Sequence, residues 1–69
     1  MRFTIEIERE QDGRWLADIP ALRGAMTYAS TRQEAIARVK VLALRIIADE
    51  IEHRERPPEM ADARFAIAA

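Results

Sequence analysis

The sequence predicts an α+β fold in which a single antiparallel sheet carries one long helix, in the order β-β-β-α-(β). Residues 2–9 alternate between apolar and polar side chains, as a half-buried strand does. Residues 31–53 contain no Gly or Pro and repeat apolar residues at helical spacing. One amphipathic helix laid on strands of this kind is typical of a two-layer domain.

Length and composition restrict the chain to one small domain. Its 69 residues barely suffice for a hydrophobic core, and the absence of Cys excludes disulfides and thiolate metal sites, so oligomerisation is the expected supplement. The net charge of −1, with basic residues spread along the chain, gives no electrostatic basis for direct nucleic-acid binding. Neither a signal peptide nor a bilayer-spanning run is present, so we expect a cytoplasmic protein without membrane contact.

The first two strands are expected to form a hairpin whose register depends on the turn. After the strand at 2–9, a two-residue Asp12-Gly13 turn would mix apolar and polar side chains on each face. A three-residue loop with Gly13 in the left-handed conformation instead pairs Arg9 with Trp15. A slip of one residue reverses every side chain, which favours the second register. The residues that it buries are Phe3, Ile5, Ile7, Trp15, Ala17 and Ile19.

Pro20 ends the second strand, because it lacks the N–H that a central ladder needs. Gly24 is free to adopt a positive φ in the tight connection that follows. Residues 25–29 are then a short third strand, in which Met26 and Tyr28 share one face.

The helix is expected to begin at Thr31, which forms a capping box with Glu34. At about 100° per residue its apolar side chains fall into two stripes on opposite sides. The stripe that should cover the sheet contains Ala35, Ile36, Val39, Leu42, Ala43, Ile46 and Ile47. The second stripe, which we call the outer stripe, contains Ala37, Val41, Leu44, Ala48 and Ile51. Charged residues four apart should pair along one edge, namely Glu34 with Arg38 and Arg45 with Asp49.

The outer stripe is the sharpest functional feature, and we predict that it is a partner or oligomer interface. Burying each large apolar residue would contribute about 1.5–3 kcal/mol. The alternative is coverage by the C-terminal tail, through Phe65 or Ile67.

The whole chain, 1–69, is predicted to be one domain with its core in residues 2–53. Residues 54–62 include Pro57-Pro58 and indicate an extended linker. Residues 63–69 contain apolar residues at period two and are either an edge strand or a mobile end.

Three carboxylates could share one site on the outer face of the hairpin. The preferred register places Glu6 opposite Asp18, with Glu8 two residues along. Such a group can hold a divalent metal, as in RNase H-like nucleases. The alternative is an ordinary solvated face, in which Arg2, Arg9 or Arg14 compensates the charge.

The remaining reactive side chains have structural interpretations. His53 suits a helix C-terminus, and Ser30 and Thr31 suit a helix cap, with no carboxylate–histidine pair placed to activate them. The basic residues of 54–56 are read as a solvated loop. We therefore predict no catalytic, cofactor-binding or metal-binding residue, and no enzyme activity. The two aromatic residues that are expected in the core rather than in a ligand pocket are Trp15 and Tyr28.

Residues 2–52 resemble the HicB-like antitoxin family. The residues that carry the resemblance are Gly13-Arg14-Trp15-Leu16-Ala17-Asp18-Ile19-Pro20-Ala21-Leu22-Arg23-Gly24, then Tyr28-Ala29-Ser30-Thr31 and Glu34-Ala35-Ile36. The sequence departs from the family at residues 20–24, where the usual turn is Pro-Asp-Leu-Pro-Gly. It departs again at 29–31, where the usual cap is Gly-Asp-Thr. We also expect no DNA-binding extension of the kind that many members carry.

The resemblance implies a truncated RNase H-like fold without nuclease activity. It also implies an antitoxin, commonly dimeric or tetrameric and without a cofactor, that binds and occludes a HicA-type mRNA-cleaving toxin. Two alternatives stay open from the residues alone. One is a structural or regulatory homo-oligomer with no toxin partner, and the other is a divalent-metal nuclease that uses the outer-face carboxylates.

Overall fold

Residues 1–68, which the computed structural model describes, form a four-stranded sheet with one long helix on one face. The strands lie in the order β3-β2-β1-β4. The α+β class and the predicted order of elements are confirmed. The elements are β1 (Arg2–Arg9), β2 (Trp15–Asp18), β3 (Met26–Ala29), α1 (Arg32–Glu52), a 3₁₀ helix (Pro58–Asp62) and β4 (Arg64–Ile67). The prediction for 63–69 includes Ala69, which lies outside the described residues.

The hairpin register is the predicted one. Arg9 pairs with Trp15 and Ile7 with Ala17 in an antiparallel ladder. Gly13 adopts a φ of 91°, as the three-residue loop requires. The inner face of the sheet, which carries the alternate residues of β1 and β2, is therefore the apolar one.

The helix begins as predicted but uses only half of the capping box. The backbone N–H of Glu34 donates to Thr31 Oγ1 at 3.1 Å. The Glu34 carboxylate turns away from the cap and pairs with Arg38 Nη2 at 2.6 Å. Of the two hydrogen bonds of a capping box, only the one accepted by the Thr31 hydroxyl is therefore formed. The predicted ion pair between Glu34 and Arg38 is confirmed.

The second predicted charged pair is wrong. Asp49 lies within 3.4 Å of the His53 ring through its side chain, and Arg45 is not its partner. His53 also closes the helix as its C-cap residue, where its backbone N–H donates to the Asp49 carbonyl. The Asp49 side chain therefore lies beside the C-cap residue His53 and not beside Arg45.

The core lies between the inner face of the sheet and one side of α1, which packs chiefly on β3 and β2. The buried helix residues are Ala35, Val39, Ala43 and Ile47. Small Ala side chains at two of these positions let the helix axis approach the strands closely. The buried residues of the sheet and its connections are Phe3, Ile5, Ala17, Ile19, Leu22, Ala25, Ala29 and Met60.

The sheet is mixed, which corrects the prediction of a single antiparallel sheet. Residues 64–67 form the edge strand, but they pair parallel to β1, with Phe65 beside Phe3. Strands β1 and β3 run in the same direction, because each is antiparallel to β2. A helix that returns across the sheet delivers the next strand in the direction of the strand before it. The parallel pairing follows from this crossover.

The prediction of an extended linker over 54–62 is wrong. Residues 54–56 turn back on the helix end, where the Glu55 and Arg56 backbone N–H groups donate to the Glu50 carbonyl, and residues 58–62 form a 3₁₀ helix. Pro58 stands in the first turn of this helix, where a missing N–H breaks no helical hydrogen bond. Met60 is buried with only 4% of its surface exposed. The segment therefore anchors the return of the chain to β4.

We predict that Phe65→Ala destabilises the protein by about 2–3 kcal/mol, less than for a fully buried Phe. The Phe65 ring is half-buried and stacks on Phe3 with 5.9 Å between ring centroids. Urea denaturation followed by circular dichroism measures the change. Ile67→Ala is the matched control, since Ile67 is 41% exposed on the same strand and should cost less. Equal costs for the two variants would contradict the docking of β4 through Phe65.

Candidate protein-binding surfaces

The outer stripe of α1 faces away from the sheet and remains largely uncovered. Val41 and Leu44 keep 49% and 48% of their surface exposed, and Ala37 and Ala48 are exposed beside them. The tail does not cover them, because its apolar residues pair with β1. The fifth predicted member, Ile51, is partly buried against the core and belongs to the fold rather than to this surface.

An open groove of about 340 Å³ lies between the outer stripe and the β3 edge. Arg38 closes part of that edge, because its Nη1 donates to the Tyr28 carbonyl at 3.2 Å while Nη2 pairs with Glu34. An outward carbonyl that already has a donor is a poor template for adding another strand. The residues lining the groove are Thr27, Ala37, Arg38, Val41, Leu42 and Arg45.

A second uncovered surface is the outer face of the sheet, on the side opposite α1. Strand registers place its central side chains in two rows, and we call these six residues the outer-face grid. Carboxylates stand on the β1 side of the grid, and large apolar side chains stand on the β3 side. The rows are Glu8-Leu16-Tyr28 and Glu6-Asp18-Met26.

The predicted opposition of Glu6 and Asp18 is confirmed by the register. Neither they nor Glu8 takes part in any ion pair within residues 1–68. Two of the three arginines expected to compensate them are used elsewhere. Arg14 binds the Asp12 carboxylate at 2.8 Å, and Arg9 lies over the Trp15 ring on the inner face.

The prediction that Trp15 and Tyr28 both belong to the core is wrong for Tyr28, which lies on the apolar side of the grid. Trp15 packs against the core, but Tyr28 is 38% exposed and Met26 is 53% exposed. The Tyr28 ring receives the Arg14 guanidinium at 4.4 Å from its centroid. This cation–π contact steadies both side chains at the surface.

The Arg14 side chain is held by a local turn. Its backbone N–H and its Nε donate to the two Asp12 carboxylate oxygens at 3.0 and 2.8 Å. These hydrogen bonds, led by the backbone one, hold the pKa of Asp12 below its ordinary value. Arg14 is therefore held at the end of the grid by Asp12 and Tyr28, and it forms no ion pair with Glu6 or Asp18.

The outer-face carboxylates do not converge as a metal site. Within residues 1–68, the group of metal-type side chains whose ligand atoms lie within 4.8 Å of one another is Asp49, His53 and Glu55. Glu6, Glu8 and Asp18 do not meet this distance. The nuclease alternative therefore has no preassembled set of ligands on the predicted face.

Sequence reasoning missed the approach of Glu55 to His53. The backbone turns sharply at Arg54, which adopts a φ of 59° and places the next residue back beside the helix end. All three side chains of the Asp49–His53–Glu55 group are exposed, and exposed acidic groups are common without an ion. Hydrogen bonding at the helix end already accounts for the position of His53.

The pKa of His53 is raised, chiefly by its hydrogen bond to the Asp49 carbonyl. Nδ1 lies 2.7 Å from that oxygen, and protonation makes it a donor there. The Asp49 carboxylate adds a favourable charge, and Glu55 contributes less.

These features define a small α+β domain with two uncovered faces on opposite sides and no membrane-spanning helix among the residues described. A UPF0150 protein of Thermoplasma acidophilum is 31% identical over 58 residues, which cover 84% of each chain. A UPF0150 protein of Archaeoglobus fulgidus is 40% identical over 40 residues, which cover 58% of each chain. The chain belongs to the UPF0150 family. No family model and no solved structure matches it.

We predict that His53 titrates above the midpoint of histidine in an unstructured peptide. Because its folded-state pKa is raised, protonated His53 stabilises the fold below the unfolded-state pKa, and this contribution is lost as pH rises through the folded-state pKa. NMR titration of the ring protons gives the midpoint. Asp49→Asn should lower it part of the way, and Glu55→Gln should lower it less. A wild-type midpoint at or below that of the peptide would contradict this assignment.

We predict that Asp18→Asn stabilises the protein by about 0.2–1 kcal/mol, because it removes a like charge opposite Glu6. Chemical denaturation at low salt measures the difference, which should shrink at high salt. Glu59→Gln is the control, since it removes one exposed carboxylate away from the sheet and from the C-terminus of α1. A loss of stability in Asp18→Asn would show that the two carboxylates do not oppose each other in solution.

Proposed function

We propose that this protein is a HicB-like antitoxin module that binds and occludes a small RNA-cleaving toxin of the HicA type. The observation that carries the proposal is that both uncovered faces of this small chain keep large apolar side chains exposed. These side chains are Met26 and Tyr28 on the outer-face grid and Val41 and Leu44 on the outer stripe. Large apolar side chains kept at the surface of a small chain indicate a surface used for protein binding.

The HicB-like motif has a structural role in this fold, which supports the assignment. Leu22 is 1% exposed, and Gly24 adopts a φ of 88° before β3. The two positions that depart from the family's turn, Ala21 and Arg23, are both exposed. Within this turn the departures therefore fall on solvent-facing positions, while the buried Leu22 and the positive-φ Gly24 keep the family's residues. The departure at Ala29, by contrast, falls on a buried position.

Occlusion requires no catalytic group on this chain. A toxin that cleaves RNA must hold a polyanion, so its working surface is basic. A partner that covers this surface excludes RNA by steric hindrance, and carboxylates on the partner replace the phosphates electrostatically. The mechanism is competition for one surface.

The homo-oligomer without a toxin is the second candidate, and the outer stripe is the feature that favours it. Burying the remaining exposed surface of Val41 or Leu44 contributes about 1 kcal/mol each. A symmetric pair of stripes would then gain about 4 kcal/mol, at the low end of the roughly 4–15 kcal/mol lost on association. The stripe alone is too small for a stable dimer, so an interface there must extend beyond it.

The proposal is tested by purifying the tagged chain from its native host and identifying bound proteins by mass spectrometry. We expect a small basic protein encoded beside this chain. Recovery of this chain alone would contradict the antitoxin assignment and favour the homo-oligomer.

We predict that Val41→Glu combined with Leu44→Glu abolishes self-association or partner binding through the outer stripe. Two carboxylates at the centre of an apolar seam would have to be buried without partners. Sedimentation velocity measures self-association, and co-purification measures partner binding. Gln11→Glu with Ala21→Glu is the control, because it adds the same charge at exposed loop positions. Retention of both kinds of association would remove the stripe as an interface.

A further inference from the structure

We infer that the outer-face grid receives the basic partner, an inference that rests on the proposed function. The grid and the outer stripe lie on opposite sides of the molecule, so one small partner cannot cover both. The choice between the two faces depends on charge, on apolar content and on area.

Charge favours the grid. Its three carboxylates take part in no ion pair within residues 1–68, and two of them face each other across neighbouring strands. Like charges in this position destabilise a sheet. A cationic partner that binds over the carboxylates removes this repulsion. The free energy by which the repulsion destabilises the free protein then contributes to the affinity of the complex.

The outer stripe has the opposite electrostatic character. Arg38 and Arg45 line the groove beside Val41, and Lys40 precedes it in sequence. Of the two that line the groove, Arg38 is paired with Glu34, while Arg45 takes part in no ion pair within residues 1–68. A basic partner would be repelled from this side of the helix.

The grid also provides an apolar anchor next to its carboxylates. Met26 and Tyr28 are exposed on β3, and Leu16 lies between them and β1 in the middle of the sheet. Exposed aromatic and Met side chains are typical of interface centres, with charged groups towards the rim. The grid therefore fits a partner surface that carries Lys or Arg beside an apolar patch.

The area of the face is of the required order. Strands lie about 4.8 Å apart and rise about 3.3 Å per residue, so the eight residues of β1 and the four of each other strand cover about 320 Å² in projection. The accessible surface of a layer of side chains is larger than its projection. A standard interface buries about 800 Å² per partner, so an interface on this face also includes the loops at its rim.

The inference is tested by calorimetric titration of this chain with a purified, catalytically inactivated HicA-type toxin encoded beside it. Glu6→Gln with Asp18→Asn removes two charges from the grid. Glu52→Gln with Glu59→Gln is the matched control, because it removes two exposed carboxylates elsewhere. We expect the grid variant to bind at least tenfold more weakly and with a flatter salt dependence. The control should stay within about twofold of wild type.

Two further outcomes separate this inference from the proposed function. If wild type binds and the grid variant binds equally well, or both variants weaken alike, the inference is overturned while the antitoxin assignment stands. If wild type does not bind the toxin, both are overturned. Thermal unfolding of the grid variant excludes misfolding as the cause, since its Tm should equal or exceed that of wild type.

Discussion

The packing of α1 on the inner face of β2 and β3 is the contact on which the rest of the structure depends. Ala35, Val39, Ala43 and Ile47 face the sheet, and the small residues among them allow close approach. Because α1 is the one α-helix among residues 1–68, only one face of the sheet can be covered in this way. The outer face of the sheet and the outer side of the helix must then remain in solvent unless another molecule covers them.

The C-terminal segment of the chain is used to complete the sheet and the core, so it does not cover the two exposed faces. The tail that could have covered the outer stripe is used instead as β4, where Phe65 stacks on Phe3. The 3₁₀ helix contributes Met60 to the core and positions that strand. No described segment remains to cover Val41, Leu44 or the outer-face grid. The two faces differ in charge, since Arg45 lines the groove beside the helix without an ion pair, while three carboxylates without ion pairs lie on the sheet.

Local rules predicted the features that depend on neighbouring residues. The hairpin register followed from Gly13 and from the cost of reversing the faces, and the helix start followed from Thr31. Other features depend on how distant elements meet. The direction of β4 follows from the crossover through α1, and the approach of Glu55 to His53 follows from the left-handed conformation of Arg54.

The electrostatic character of the grid could be predicted only in part. The register placed Glu6 opposite Asp18, but it did not reveal that Arg14 would bind Asp12 and stack on Tyr28 instead of compensating the pair. Arg14 could pair either with Asp12, two residues away in sequence, or with a carboxylate on the neighbouring strand. Side-chain geometry decides between these two contacts. The acidic centre of the grid therefore emerged from the structure rather than from the pattern of charges.

The most direct test of the antitoxin account is a titration of RNA cleavage. The active HicA-type toxin encoded beside this chain would be incubated with labelled RNA and increasing amounts of the purified protein. If the protein occludes the toxin, cleavage should fall to background once the protein reaches a fixed molar ratio to the toxin. Undiminished cleavage at a large excess of folded protein would contradict it.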